Sequence, residues 1–526
     1  MPQRLTIRVA IVSLIVLGTL LLPVIAEAEP GFTATRTMPP ILDASRGGLD
    51  LYGAVSCPSP STCTAVGPSS LFSFGLLQHR GAPTVVTETN GTWGRRTALP
   101  IPGGGQRSAV NGIECAMVGN CVAVGGYTDV FSKYALPLVE TEASGVWTES
   151  TVALPTGNLG SGQLVSVWCA SIGNCVALGA YSYSTSSSVA PLPMVAVEKS
   201  GTWGQAVSLS DGGGTSVIIP TSLSCSDLAD CTAIAYGNST ALGAGTFSWR
   251  ESAGTWSGVA LLPQRPGFQF ISYSIACPSA STCMAVGGLT KGAGGDIPAV
   301  ATASSGSWSL PRRLALPRLS PIPTQALFTS VACASSTLCE TVGFIVSSSS
   351  RIADVPVAAT WNGGAWSSLG TFHRSTVGAR PAAQSLFDAV ACPSTTECLA
   401  VGDDQLSADP GSPSSAFSTW LTPTRAVSTP APPLAVDVHP ASRFVDVAWA
   451  PPGNDGGSPV TSFTATVVPG GEQCRTARFR CRIGGLREGR RYRVFVRDTT
   501  LAGSSPAKAS PTFSATVTSL VARRAR

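Results

Sequence analysis

Seven times along this chain two cysteines stand with five residues between them. The pairs are Cys57/Cys63, Cys115/Cys121, Cys169/Cys175, Cys225/Cys231, Cys277/Cys283, Cys333/Cys339 and Cys392/Cys398. First cysteines are 58, 54, 56, 52, 56 and 59 residues apart. A period in this range marks a repeated supersecondary unit, and it restricts the fold more than any other feature of the chain.

Other positions repeat in step with the cysteines. Two residues before each first Cys stand Val55, Ile113, Val167, Leu223, Ile275, Val331 and Val390. Two residues after each second Cys stand Ala65, Ala123, Ala177, Ala233, Ala285, Thr341 and Ala400, then an aliphatic residue, then Gly67, Gly125, Gly179, Ala235, Gly287, Gly343 and Gly402. A third extended segment follows, and then a Gly-x-Trp ending at Trp93, Trp147, Trp203, Trp256, Trp308 and Trp366. Alternation with period two over such short segments predicts strands. Each unit therefore reads as four strands, the Cys loop joining the first two and a Gly turn the last two. Four strands per repeat predict an all-β chain in the form of a seven-bladed β-propeller.

The seventh unit has a third strand ending at Trp420 but no further Gly-x-Trp. The segment from Gly31 to Pro40 aligns with that from Thr92 to Ile101, placing Met38-Pro39 over Leu99-Pro100. An N-terminal strand completing the last blade would close the ring and remove its sheet edges.

With these residues in view, the repeats resemble the kelch-like and Asp-box propellers. "AVGGY" at 123–127 followed by Trp147 looks like a kelch repeat, and "TNGTW" at 89–93 looks like a degenerate Asp box. The resemblance implies the fold. Through the Asp box it also points towards sialidase-like enzymes.

The chain is poor in charge (12%) and rich in Gly (56) and Pro (40), with 44% hydrophobic residues to supply cores. Three histidines, none near a Cys pair, argue against zinc, and C-x5-C is longer than the usual redox spacing. No metal ligand, cofactor or catalytic residue is assigned. Disulfides across the hairpins are the expected use of the thiols, each contributing roughly 2 kcal/mol in the chain-entropy model. Arg4 and Arg8 precede an apolar run from Val9 to Ile25 and then Ala26-Glu27-Ala28, the layout of a secretory signal. The alternative is an uncleaved membrane anchor. Either way the chain is expected to be secreted or envelope-associated.

From Ala431 the composition changes. Trp449, the Gly456-Gly457-Ser458-Pro459 turn, Leu486, Gly489 and Tyr492 closely resemble a bacterial fibronectin type III domain. The resemblance implies a β-sandwich with Trp449 in the core and a Tyr492 hydroxyl bonded back to the main chain. Cys474 and Cys481 are expected to pair. The organisation is then 1–28 signal or anchor, 29–424 propeller, 425–433 Pro-rich linker, 434–520 fibronectin type III domain and 521–526 basic tail. Residues 431–526 carry 14 Lys/Arg against 6 Asp/Glu, whereas 29–430 carry 18 against 22. Arg478, Arg480 and Arg482 alternate along one stretch, with Arg491, Arg493 and Arg497 extending the patch. It reads as a surface for anionic wall polymer or lipid headgroups, or else as a solvated basic face. Nucleic acid is disfavoured.

Loops joining second to third strands share one face of a propeller, opposite the Cys loops. They carry the polar residues expected to bind a partner: His79, Arg80, Tyr127, Asp129, Tyr181, Tyr183, Lys291, Asp296, Arg351, Asp354, Asp403 and Asp404. The leading reading is an exported binding or scaffold protein recognising protein or glycan. A glycosidase or lyase and a purely structural envelope component are the alternatives. A glycosidase needs paired carboxylates, and none is identified in these loops.

Overall fold

The structure, a computed structural model, describes residues 36–39, 52–68, 82–105, 107–128, 134–184, 189–213, 216–291, 296–314, 325–346, 355–367, 369–372, 384–405, 414–422, 432–433, 435–450, 462–476, 478–500 and 503–515. They form strands and turns, with one short helical turn at Pro102–Gly104. No helix among them is long and apolar enough to cross a membrane.

One antiparallel sheet arises from each Cys repeat, seven in all, with strands in chain order across the sheet. The fifth is representative: Gln269–Ser279, Thr282–Thr290, Ile297–Ser304 and Ser307–Trp308, with Arg312–Arg313 continuing the outer edge. Neighbouring sheets pack face to face in chain order. Met284, Val286 and Val300 of the fifth meet Phe328 and Val331 of the sixth. The last sheet meets the first through Leu399, Val401 and Ala416 against Tyr52, Val55 and Val86. The architecture is propeller-like.

The last sheet is completed from the N-terminus. Arg36 and Thr37 pair with Ser418 and Phe417, next to the third strand Ser414–Leu421. Met38 donates its N–H to the Ala416 carbonyl at 3.0 Å, as Leu99 does to Pro83, Leu209 to Pro193 and Leu314 to Pro298. Met38 is 2% exposed. It fills the place of those leucines, as the alignment with Leu99 requires. Phe32, which the same alignment places over Trp93, lies outside the described residues.

All seven C-x5-C pairs are disulfides, with Cα atoms 3.9–4.1 Å apart across the first turn. They staple the ends of the first two strands, as expected, and the second cysteine of each pair does more. Cys63, Cys121, Cys175, Cys231, Cys283, Cys339 and Cys398 are second-strand residues, and all are buried, Cys283 the most exposed at 7%. The reason is the alternation of the strand, which turns these sulfurs into the packing between sheets. Cys63 lies with Val55 and Val86, Cys121 with Val110 and Leu138, and Cys175 with Val167 and Ala196. Cys231 lies with Leu223 and Trp249, Cys283 with Ile234 and Ile275, Cys339 with Phe328 and Trp366, and Cys398 with Phe387 and Phe417. Each staple therefore fills a core as well as closing a turn, and it is no part of an exposed site.

Five of the six Gly turns are tight two-residue turns with positive φ at both central positions, as at Asn90-Gly91 (47° and 79°) and Ser200-Gly201 (51° and 79°). In four repeats a glutamate stands three residues before that glycine, directly across from the tryptophan: Glu88/Trp93, Glu142/Trp147, Glu198/Trp203 and Glu251/Trp256. Glu251 shows one use of it, accepting the Gly254 N–H within the turn.

The recurring second-strand glycine answers to a bulge and not simply to crowding at an axis. Six of the first strands bulge four residues before the first cysteine, for example between Ser272 and Ser274. The bulge presses a first-strand carbonyl onto the second strand. A Cβ on Gly287 would lie 2.0 Å from the Ile271 oxygen, and one on Gly343 would lie 2.0 Å from that of Leu327. In the fourth repeat Ala235 stands at this place, and the close approach moves to Gly237.

First strands of successive sheets are stitched together by side chains. Serines three residues before the first Cys accept main-chain N–H groups of the following sheet: Ser166 from Leu223 (3.1 Å), Ser222 from Ile275 (3.3 Å), Ser274 from Val331 (3.1 Å) and Ser330 from Val390 (3.2 Å). Ser56 does the same for Cys115 at 3.0 Å. The bulge residues Asn111, Thr221 and Thr329 donate to the carbonyls of Leu164, Ser272 and Phe387. Unpaired strand edges are thereby satisfied from the side.

The C-terminal residues form two sheets. One holds Val436–Pro440, Phe444–Trp449 and Arg480–Gly484. The other is built on Gln473–Thr476, Ser462–Val468 and Arg491–Thr500. Trp449, Phe463, Val494 and Ile483 pack between them. The Cys474–Cys481 disulfide joins one sheet to the other. The Tyr492 hydroxyl accepts the Arg487 N–H at 2.8 Å. The Gly456–Pro459 turn lies outside the described residues.

Candidate functional site

Of the twelve polar residues expected on loops, His79, Arg80, Asp129, Arg351 and Asp354 lie outside the described residues. Four others require correction. Second strands run well past the recurring glycine, to Thr128, Ser184 and Gln405 in the second, third and seventh sheets. Tyr127 (7% exposed), Tyr181 (3%), Asp403 (1%) and Asp404 (0%) are consequently strand residues covered by packing. Tyr127 sits with Val66, Val110 and Leu138, and Tyr181 with Leu164 and Met194. Asp404 accepts the Ser385 hydroxyl at 2.6 Å. Tyr183 is in the same strand as Tyr181.

Lys291 and Asp296 behave differently. They flank the loop between the second and third strands of the fifth sheet, on the side away from the disulfide turns. Asp296 accepts the Thr290 hydroxyl, and its carbonyl takes the Ala326 N–H of the sixth sheet at 2.9 Å. Gly288 makes room for it, since a Cβ there would be 3.0 Å from the Asp296 Cβ. Tyr273, the bulge residue of the first strand, stands within reach of the Asp296 charge. Tyr273 in turn meets Tyr236 of the fourth sheet edge-on, with ring centroids 5.9 Å apart and planes at 63°. Both rings are half-buried.

Burial, then Asp296, then Tyr236 push the Tyr273 hydroxyl up to about 12. It remains a protonated donor throughout the physiological range. Burial also raises Tyr236. At the rim the Lys291 ammonium lies 5.8 Å from the Phe268 ring centre, and the Arg313 guanidinium lies 4.1 Å from it. The site thus offers two aromatic surfaces at an angle, two phenol hydroxyls and one carboxylate. Such a set can stack on the C–H face of a sugar ring while exchanging hydrogen bonds with its hydroxyls.

Sequence reading missed both tyrosines. Tyr273 stands four residues before Cys277, where the other repeats place Asn111, Val165, Thr221, Thr329 and Asp388. Comparing repeats at that offset would have singled it out as the one aromatic residue. Among the described residues no group of His, Cys, Asp and Glu is arranged to hold a metal ion.

Residues 428–514 match the fibronectin type III domain family. No curated protein matches the chain. Among solved structures, the twitchin kinase region from C. elegans is similar at 25% identity over 18% of this chain, with TM-score 0.17. The match also spans 18% of that protein, so this chain covers under a fifth of its length. A protein of unknown function from Dyadobacter fermentans is similar at 9% identity, covering 74% of this chain and 99% of that one (TM-score 0.39). The glycoside hydrolase family 74 xyloglucanase from Xanthomonas campestris is similar at 12%, covering 91% and 81% (TM-score 0.38). The C-terminal sandwich, with its family match, buried Trp449 and bonded Tyr492 hydroxyl, is a fibronectin type III domain.

Proposed function

We propose that the seven sheets are the blades of one closed, kelch-like ring, exported to the cell surface or beyond, which recognises a neutral glycan at Tyr236, Tyr273 and Asp296. Eight disulfides fit an oxidising compartment outside the cytoplasm. The reading rests on one observation above all: two half-buried tyrosines meet edge-on beside a carboxylate, on the face away from the stapled turns. Strands hold both tyrosines and Asp296 directly precedes one, which favours recognition without reorganisation.

Binding of the exported protein to a panel of neutral oligosaccharides and wall polysaccharides tests this. Tyr273→Ala is expected to weaken the best ligand by about tenfold or more, since it removes a stacking surface and a donor together. Tyr127→Phe, at a packed position, is expected to leave affinity unchanged. Equal affinity in Tyr273→Ala and the parent protein would overturn the assignment.

A second reading, hydrolysis of the glycan, draws on the carboxyls of Asp388 and Asp403. Asp388 is held well above the usual carboxylate range by burial and then by Asp403. A carboxyl that holds its proton more tightly than usual suits the acid of the pair a glycosidase uses. Release of reducing ends by the parent protein, abolished in Asp388→Asn, would favour this reading over pure recognition.

A further inference from the structure

The basic stretch of the fibronectin type III domain divides between two surfaces. Arg480 and Arg482 lie on the three-stranded sheet, whereas Arg491, Arg493 and Arg497 lie on the other. The two sheets share one core, so their outward faces point in opposite directions. On the first face Arg482 is already neutralised. It forks onto Asp446 with two contacts of 2.8 Å and covers Phe444 at 4.1 Å.

The second face is different. Tyr492, Val494, Val496 and Asp498 point into the core, leaving Arg491, Arg493 and Arg497 exposed. Alternate residues of a strand repeat at about 7 Å, so the row is evenly charged along its length apart from Phe495. Sheet register adds a fourth arginine, because Arg475 and Arg497 flank Thr464 across three strands. Three of these guanidiniums are held from one side: Arg475 by the Ser462 hydroxyl (3.2 Å), Arg493 by the Ser510 carbonyl (3.2 Å) and Arg497 by the Ser505 carbonyl (3.3 Å). Their remaining N–H groups are left for a ligand. Among the described residues no carboxylate occupies an outward position on these three strands, which carry Thr464, Thr466, Val468, Gln473, Phe495 and Thr499 besides the arginines.

We propose that this face binds an anionic polysaccharide, laid along the arginine row. Guanidinium forks match the carboxylates of acidic sugars, and the threonines and Gln473 between them suit sugar hydroxyls. A membrane surface fits less well, since Val468 is the one exposed aliphatic on the face and the half-buried Phe495 has little to insert. This site is independent of the tyrosine site.

The test uses the whole exported chain and polygalacturonate at low and at moderate salt. Binding that weakens with salt is expected, together with a loss of about tenfold or more in the double variant Arg493→Gln/Arg497→Gln. Thr464→Glu, which places a carboxylate between Arg475 and Arg497 and removes no arginine, is expected to act in the same direction. Arg482→Gln on the opposite face should bind polygalacturonate as the parent does. Failure of the parent to bind, unchanged binding in both Arg493→Gln/Arg497→Gln and Thr464→Glu, or binding to anionic phospholipid vesicles alone would overturn the proposal.

Discussion

A chain beginning at Asp43 is expected to melt at a much lower temperature than the parent protein and to aggregate as it does so. Two losses combine. The last sheet gives up the pairing of Arg36 and Thr37, which exposes the edge of Ser414–Leu421 to other chains. Met38 leaves a core it shares with Tyr52, Val55, Leu399 and Val401. Tyr52 also loses the Pro39 carbonyl that its hydroxyl meets at 2.7 Å. Met38→Ala alone removes the side chain while keeping the strand, and should cost about 2–5 kcal/mol. The comparison separates the two contributions. Thermal unfolding of the shortened chain at the parent temperature would rule out N-terminal closure of the ring.

The second large effect is on pH. Burial lifts Glu140 to about 9, with Glu149 across the strand pair adding to it, and burial lifts Glu340 to about 8 against the opposing hydrogen bond from Thr360. In the unfolded chain both would release their protons near 4.5. The folded state therefore binds more protons than the unfolded state above that pH. The stabilisation from the protonated forms is complete below pH 4.5, diminishes as pH rises, and is gone once pH passes 8 for Glu340 and 9 for Glu140. Glu140 is fully buried, and Glu140→Gln should be more stable than the parent by about 3 kcal/mol at pH 7, with little difference at pH 4. Urea unfolding at pH 4, 7 and 9 measures this. Parallel pH profiles for the parent and Glu140→Gln would show that burial of this carboxyl has no energetic consequence.

What was legible in the sequence depended on where each constraint acts. Cysteines, glycines and tryptophans are demanded by the local geometry of a hairpin, so they recur as letters and reveal the repeat. That the second cysteine of each pair also fills a core was not legible, because the spacing speaks only of the turn. Met38 was legible for the same reason as the repeat, since it occupies the place of Leu99. Glutamates of the Gly-x-Trp turns recur just as visibly, in four repeats, and were overlooked. Burial of Tyr127 and Tyr181 was hidden, because a neighbouring sheet creates it and the strand's own alternation does not announce the neighbour. Tyr236 and Tyr273 come from different repeats and meet through a bulge and the order of sheets. The arginines of the C-terminal domain read as one patch because adjacency in sequence conceals which sheet a strand joins.

The serine stitches have a direction. The first sheet and the third to sixth each supply a hydroxyl to the sheet that follows in the chain, and the second supplies the Asn111 amide, so these joints are laid down in order of synthesis. The last joint lacks both devices: Ala389 stands where Ser166, Ser222, Ser274 and Ser330 stand, as Ala54 and Gly112 do in the first two sheets, and Asp388 takes the place of the donors Asn111, Thr221 and Thr329. A carboxyl at that place can donate only while it keeps its proton, and one Asp388 oxygen is buried without a hydrogen-bond partner. The joints between successive sheets are therefore not all alike. A clasp lies between the first and last sheets, where the outer strand from the N-terminus holds what the inner strands do not. Separation of the sheets under load is expected to begin at that clasp.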